Sequence, residues 1–177
     1  MECTGTVLSE GFGNDIDLLW DFMLSLAMRN ILGVLKMCDL ARFIKAQNLD
    51  YEQALSEIKA GHKRSHWIWY IFPQIKGLGF SPTSEYYGID GLGEAKAYME
   101  NDILRKRLLE ISEVLLTLPS SDAGDVMGYP DDLKLRSSMT LFAEAAPDNP
   151  IFQKVLDKFF AGEKDVKTLE LLKRGGN

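Results

Sequence analysis

The chain has 177 residues, 46% of them apolar and 26% charged, and carries a net charge of −6. At that length one domain can bury roughly 70% of the surface its unfolded chain exposes, so neither a disulfide nor a metal is needed to hold it. The acidic balance excludes a general nucleic-acid binder, which needs a broad basic surface, and leaves room for a local basic site.

Cys3 and Cys38 are the only cysteines, the usage of a reducing compartment rather than of a disulfide framework. The N-terminus lacks the basic head and small-residue cleavage site of a secretory signal. Asp21 and Arg29 interrupt the apolar stretch over 18–37, which falls short of a membrane span. The expected location is the cytoplasm, with no membrane partner.

In chain order, the apolar spacing is helical almost throughout and two-residue alternation is scarce. A first amphipathic helix is expected over 15–35, capped near Asn14 or Asp15, with Leu18, Phe22 and Leu26 on its apolar face. A short second helix follows Asp39 and puts Leu40, Phe43, Ile44 and Gln47 in line. Asp50 with Gln53 resembles a capping box that opens a third helix, buried through Leu55 and Ile58 and stopped by Gly61. The run Trp67-Ile68-Trp69-Tyr70-Ile71-Phe72 has the composition of a strand, yet no partner strand is evident. Ser65 is therefore expected to cap a two-turn helix that Pro73 ends.

Gly77, Gly79 and Pro82 mark a loop, with Ser81 starting the next helix. Further helices are expected over 92–100 and 102–118, the latter closed by Pro119. Residues 121–128 read as a turn or one helical turn. Pro130 opens a helix with Leu135, Met139, Phe142 and Ala146 on one stripe. Asn149 and Pro150 begin another, with Phe152, Val155, Leu156, Phe159 and Phe160 inside and Gly162 past its end. Asp165 caps a last helix through Leu169 and Leu172, and 175–177 should fray. The expectation is an all-α protein: a single compact multi-helix domain over 37–177, preceded by an extra N-terminal amphipathic helix in the 1–36 extension.

Two polar constellations stand out. The first is His62-Lys63-Arg64-Ser65-His66, directly before the aromatic run. His62 and His66 are four apart, which on a helix puts both on one face. Lys63 and Arg64 between them oppose a cation and no third ligand is in view, so no metal site is expected. His66 is the candidate general acid/base; its plainer role is a ring nitrogen tying the aromatic block to a backbone carbonyl. Trp67, Trp69, Tyr70 and Phe72 read first as core and second as rings for base stacking, with Trp67, next to the polar head, expected as the wall of a pocket.

The second constellation runs from Lys134 to Thr140. With Leu135, Met139 and Phe142 facing the core, Lys134, Arg136, Ser137, Ser138 and Thr140 are expected on the flanking faces. A forked guanidinium with clustered hydroxyls suits a phosphate or carboxylate. The alternative is a solvated face whose hydroxyls bond back to the helix. Gly77-Leu78-Gly79 and Gly91-Leu92-Gly93 stop short of a phosphate-loop pattern and read as turns. No cofactor is expected.

The longest matching motifs are Lys63-Arg64-Ser65-His66-Trp67 through Phe72-Pro73-Gln74 and Lys134-Leu135-Arg136-Ser137-Ser138-Met139-Thr140-Leu141-Phe142. Arg42-Phe43, Tyr51, Glu57-Ile58, Gly77-Leu78-Gly79, Glu94-Ala95 and Asp165 with Thr168-Leu169 go with them. On these residues the chain resembles the family called domain of unknown function eighteen-ten, also known as Rv-eighteen-seventy-three-like. The resemblance spans about three quarters of the chain and implies a mainly α-helical fold, with no activity to carry over. Relatives tend to have His-Pro where this chain reads Asn101-Asp102, so any role of that histidine does not apply here. They also tend to begin near Met37, which leaves 1–36 unexplained by the resemblance.

The expected site joins the two constellations. His66 is its catalytic acid/base, and Lys63, Arg64, Trp67, Arg136, Ser137 and Thr140 bind a small anionic, phosphorylated ligand, with hydrolysis or group transfer as the chemistry. Arg64 and Arg136 are expected to meet the same anion. The alternative is a non-catalytic interaction module, in which both motifs stabilise a surface used by a protein partner. A pocket shared by 63–66 and 136–140 favours the first reading; opposite sides favour the second.

Overall fold

The structure, a computed structural model, describes residues 40–174. The expected helix over 15–35, both cysteines and the 175–177 tail lie outside those residues. The described chain is all-α, and none of its helices is long and apolar enough to cross a membrane.

Helix α1 runs without a break over 40–59, where two helices were expected. No glycine or proline interrupts 40–60, and Leu40, Phe43, Gln47, Tyr51, Ala54, Leu55 and Ile58 keep one buried stripe across the expected break. Asp50 therefore caps nothing; its carboxylate accepts the Tyr70 hydroxyl at 2.5 Å. The helix stops where expected. Gly61 takes a left-handed φ of 74°, its N–H reaches Ile58 O at 2.8 Å and His62 N–H reaches Glu57 O at 3.1 Å, the Schellman closure.

The aromatic run forms one turn, α2 (Ile68–Ile71), rather than two. Ser65 does not cap it, because its hydroxyl is taken by Glu57 at 2.5 Å. After α2, Lys76 N–H to Ile89 O and Ile89 N–H to Gln74 O, both 2.9 Å, make an isolated parallel bridge. Among the described residues no strand grows from it. Ser81 caps α3 (Pro82–Tyr87), as its Oγ accepts Ser84 N–H at 3.1 Å. Then come α4 (Gly91–Glu100), α5 (Asp102–Thr117), α6 (Ala123–Met127), α7 (Asp131–Ala145), α8 (Ile151–Phe160) and α9 (Val166–Arg174).

Helix α7 is the axis of the fold, packed against α4, α6, α8 and α9. A row of rings crosses the core from α1 to α8: Phe43–Tyr98 at 5.3 Å, Tyr98–Phe142 at 5.1 Å and Phe142–Phe152 at 5.7 Å between centroids. Gln47, buried among them, donates to the Tyr98 hydroxyl at 2.9 Å and to Tyr70 O at 2.8 Å. Both bonds give a polar side chain its partners where water cannot reach.

Helix α5 ends on a lysine supplied by α8. Lys158 Nζ donates to Leu115 O at 3.0 Å, Leu116 O at 3.1 Å and Leu118 O at 2.5 Å, gathering the carbonyls at the helix end, where the chain's own bond is Leu118 N–H to Leu115 O at 3.4 Å. Burial lowers the Lys158 pKa from its ordinary range. Replacing Lys158 with methionine keeps the stem and removes the donor, so it should cost about 1–2 kcal/mol in urea unfolding. An unchanged midpoint would mean that Pro119 alone ends α5.

Candidate functional site

The first polar constellation folds around a carboxylate of its own. The Schellman turn sends the chain back along α1, and Glu57 receives Arg64 N–H at 2.8 Å, Ser65 N–H at 3.1 Å, the Ser65 hydroxyl and the Trp67 indole N–H at 2.8 Å. Burial alone would raise the Glu57 pKa, but the donors from Ser65, Arg64 and Trp67 outweigh it and hold the carboxyl at about 2. Trp67 is thereby core, 1% exposed, rather than a pocket wall.

Residues 62–66 are not helical, so His62 and His66 do not share a helix face. The histidine tied to a carbonyl is His62, whose Nδ1 lies 3.0 Å from Asp125 O. His66 and Arg64 have exposed side chains. Lys63 is the constellation's inward cation: its Nζ sits 2.6 Å from Asp131 Oδ2, 2.6 Å from Ser65 O and 5.0 Å from the Trp67 ring centroid.

The second constellation opens onto a cleft of about 470 Å³. Leu133, Lys134, Arg136 and Ser137 of α7 form one wall with Pro130. Asp165, Val166 and Lys167 at the start of α9 form another. Trp69 of α2, Gln74, Leu78, Gly79 and Ser84 of α3 complete it. Of the expected site residues, Arg136 and Ser137 line this cleft, whereas Lys63, Arg64, His66, Trp67 and Thr140 do not. Lys63 reaches it at one remove, through Asp131.

Each wall is held by identifiable bonds. Asp131 takes Lys63 on one oxygen and Lys134 on the other, at 2.5 Å, and joins the first turn of α7 to the 63–67 segment. Burial pushes the Asp131 pKa up, and the bonds from Lys134 and Lys63 more than reverse that. Lys134 Nζ also stands 5.1 Å from the Trp69 ring centroid. Arg136 is braced by Glu163, Nη2 to Oε2 at 2.9 Å and Nε to the backbone oxygen at 3.0 Å.

Asp165 does cap α9. Its Oδ2 accepts Thr168 N–H at 3.0 Å, the Thr168 hydroxyl at 2.6 Å and the Ser137 hydroxyl at 3.1 Å. Thr140 is fully buried; it donates to Arg136 O at 2.8 Å and accepts Asp165 N–H at 2.8 Å. The bond back to the helix weighed for these hydroxyls is present for Ser137 as well, to Leu133 O at 3.0 Å. Gly79 is required by crowding, since a Cβ there would stand 2.9 Å from Ser84 Oγ.

The lining carries Lys134, Arg136 and Lys167 against Asp165, a local positive excess on a chain of net −6. Asp131 and Glu163 offset two of those cations from behind. Lys167 is exposed, and its ammonium makes no ion pair among the described residues. Large apolar side chains stand in water on or beside the lining residues: Phe80 at 90% exposed, Tyr129 at 83%, with Leu133 and Val166. No group of His, Cys, Asp and Glu among the described residues is arranged to hold a metal ion.

Reading the sequence missed Gln74, Lys167 and Glu57, and chose Trp67 from the aromatic run where Trp69 lines the cleft. Trp69 is two residues from Trp67, and which ring faces the core depends on the single turn of α2. Glu57 carries no local signal for this role: Gln53 donates to it from one turn back, but Arg64, Ser65 and Trp67 come seven to ten residues later, after a chain reversal. Lys134 was visible as a neighbour of Arg136 on the same polar flank.

Comparison with known proteins agrees with the resemblance seen in the two long motifs. A family model described as "Protein of unknown function (DUF1810)" matches residues 37–172. Among solved structures, the conserved hypothetical protein Rv1873 from Mycobacterium tuberculosis is similar, with 44% identity and a TM-score of 0.75, over 76% of this chain and 96% of that one. No curated protein matches.

Proposed function

We propose, for a chain that belongs to the DUF1810 family of proteins of unknown function, that it binds a small anionic ligand in the cleft between α7 and α9. Arg136 and Lys167 hold the anion, Lys134 adds charge from the Trp69 side, and Ser137 lies on the lining between them. The observation that carries this reading is Lys167, whose ammonium makes no ion pair among the described residues, on a lining that already holds two other cations. Lys63, Lys134, Arg136 and Lys167 share three carboxylates, Asp131, Glu163 and Asp165, and an anion between the lining cations offsets their remaining repulsion. Lys63 serves from behind by fixing Asp131. The acid/base chemistry expected of His66 is not part of this reading, because its ring lies outside the lining. The reading is one of binding.

Thermal unfolding with inorganic phosphate tests it. Phosphate at a hundred times its dissociation constant should stabilise the protein by about 2.7 kcal/mol. Sodium chloride at matched ionic strength should do far less, because screening acts on every surface charge. Lys167→Gln and Arg136→Gln should each shrink the gain, and Arg64→Ala should leave it whole. Loss of the gain in Arg64→Ala with retention in Lys167→Gln would move the anion to the 63–66 segment. The exposed Phe80, Tyr129, Leu133 and Val166 favour a second reading, a non-catalytic surface for a protein partner. That reading takes over when no anion stabilises the protein.

A further inference from the structure

We infer that the ligand of this cleft carries a planar heteroaromatic ring beside its anionic group, with the ring lying on the Trp69 indole. The inference rests on the anion reading above and adds the ligand's other half. The two tryptophans of the aromatic run differ in a telling way. Trp67 is fully buried and spends its indole N–H on Glu57. Trp69 is half-buried, lines the cleft, and its N–H meets no acceptor among the described residues. A large ring left partly in water at a cavity wall offers a face for stacking, and stacking tolerates many ring types.

The space agrees. About 470 Å³ is far more room than a bare phosphate or sulfate fills, and it lies in the range of small-molecule sites. Leu78 and Leu133 give the cleft further apolar surface, which an inorganic anion leaves unused. Charge lies next to the ring by construction. Asp131 holds Lys134 Nζ at 2.5 Å while that same ammonium lies over the Trp69 ring, 5.1 Å from its centroid, so a stacked ligand ring takes the part of the indole that the ammonium leaves uncovered. A ring on the indole and an anionic group joined to it therefore meet aromatic and cationic partners together.

Gln74 narrows the class. Its amide nitrogen donates to the carbonyls of Phe72 and Ile68, so the orientation of the amide is fixed. Its Oε1 accepts nothing among the described residues and is a neutral acceptor on the lining, beside the Asp165 carboxylate. An acceptor beside a stacking face selects a ring with an N–H or amino edge. A nucleoside phosphate is the simplest ligand with all three features. An aryl phosphate has the ring and the anion without the edge donor.

Isothermal titration of the full chain with four probes separates the parts. Adenosine monophosphate should bind at least tenfold more tightly than ribose 5-phosphate and than adenosine, with phenyl phosphate between. Trp69→Leu should erase the preference for adenosine monophosphate over ribose 5-phosphate, and Trp69→Phe, which keeps a ring, should retain most of it. Equal affinity for those two phosphates in the parent, or a preference that survives Trp69→Leu, overturns the ring and leaves the anion reading standing. Adenosine binding as tightly as its monophosphate keeps the ring and overturns the anion reading. No binding by any of the phosphates overturns both.

Discussion

Replacing Glu57 with glutamine should lower stability by about 2 kcal/mol at neutral pH, and the deficit should vanish in acid. The carboxylate accepts the Ser65 hydroxyl, two backbone N–H groups and the buried indole of Trp67, all on two oxygens. An amide of the same shape turns a donor toward one part of that set and loses its charge. The loss stays near the low end for charge-assisted bonds because the Arg64 and Ser65 side of the site meets water.

The pH dependence follows from the direction of the shift. The folded carboxyl titrates at about 2 against an ordinary 4.5, so the unfolded chain takes up the proton first. The contribution of Glu57 is whole above about 4.5 and is lost as pH falls from there towards 2. Urea midpoints of the parent and Glu57→Gln, measured from pH 7 downwards, should therefore converge across that interval. A gap that stays constant to pH 2 would show that shape rather than charge holds the 63–67 segment.

The same carboxylate explains what could be read from the chain and what could not. Helix ends with a local chemical cause were legible: Ser81 before Pro82, Gly61 with its left-handed φ, and Asp165 before Thr168. Each depends on residues within one turn. The break expected near Asp50 failed because a buried stripe from Leu40 to Ile58 outweighed one capping pattern, and the partner of Asp50 is Tyr70, twenty residues on. The cap expected of Ser65 failed for a similar reason, since Glu57 takes its hydroxyl.

In the candidate site the second constellation was legible in part. Arg136 and Ser137 were chosen by chemistry and line the cleft; Thr140, chosen by the same chemistry, sits one helical turn deeper and is buried. Arg64 looked equivalent to Arg136 in sequence. The difference lies in tertiary support, because Arg136 is braced by Glu163 and Lys164 carbonyls while the Arg64 side chain stays exposed. Lys167 was invisible as a site residue, and Trp69 could not be told from Trp67, because only the docking of α9 against α7, and of α2 beside them, sets both on one cleft.

Removing the cap of α9 should be as damaging as removing Glu57, and it reaches the cleft directly. Asp165→Ala takes the acceptor from the Thr168 N–H, the buried Thr168 hydroxyl and the Ser137 hydroxyl at once. A lost cap and a stranded buried hydroxyl together should cost about 2–3 kcal/mol in urea unfolding. Asp165→Asn keeps an acceptor oxygen and should cost less. Thr168→Val removes the other side of the same bonds, so the double variant Asp165→Ala/Thr168→Val should be more stable than the sum of the single losses by about 1 kcal/mol. Simple additivity would mean that the two residues act on the fold separately. The start of α9 also carries Lys167; because Asp165→Ala removes a lining carboxylate as well, the phosphate response is read in Thr168→Val, where a loosened first turn should weaken it with Lys167 and Asp165 both present. Lys167→Gln should weaken the response at unchanged stability, because that side chain is exposed and unpaired among the described residues. If Thr168→Val lowers stability as expected yet keeps the full phosphate response, and Lys167→Gln keeps it too, the anion does not depend on α9, and Arg136 with Lys134 must hold it from α7 alone.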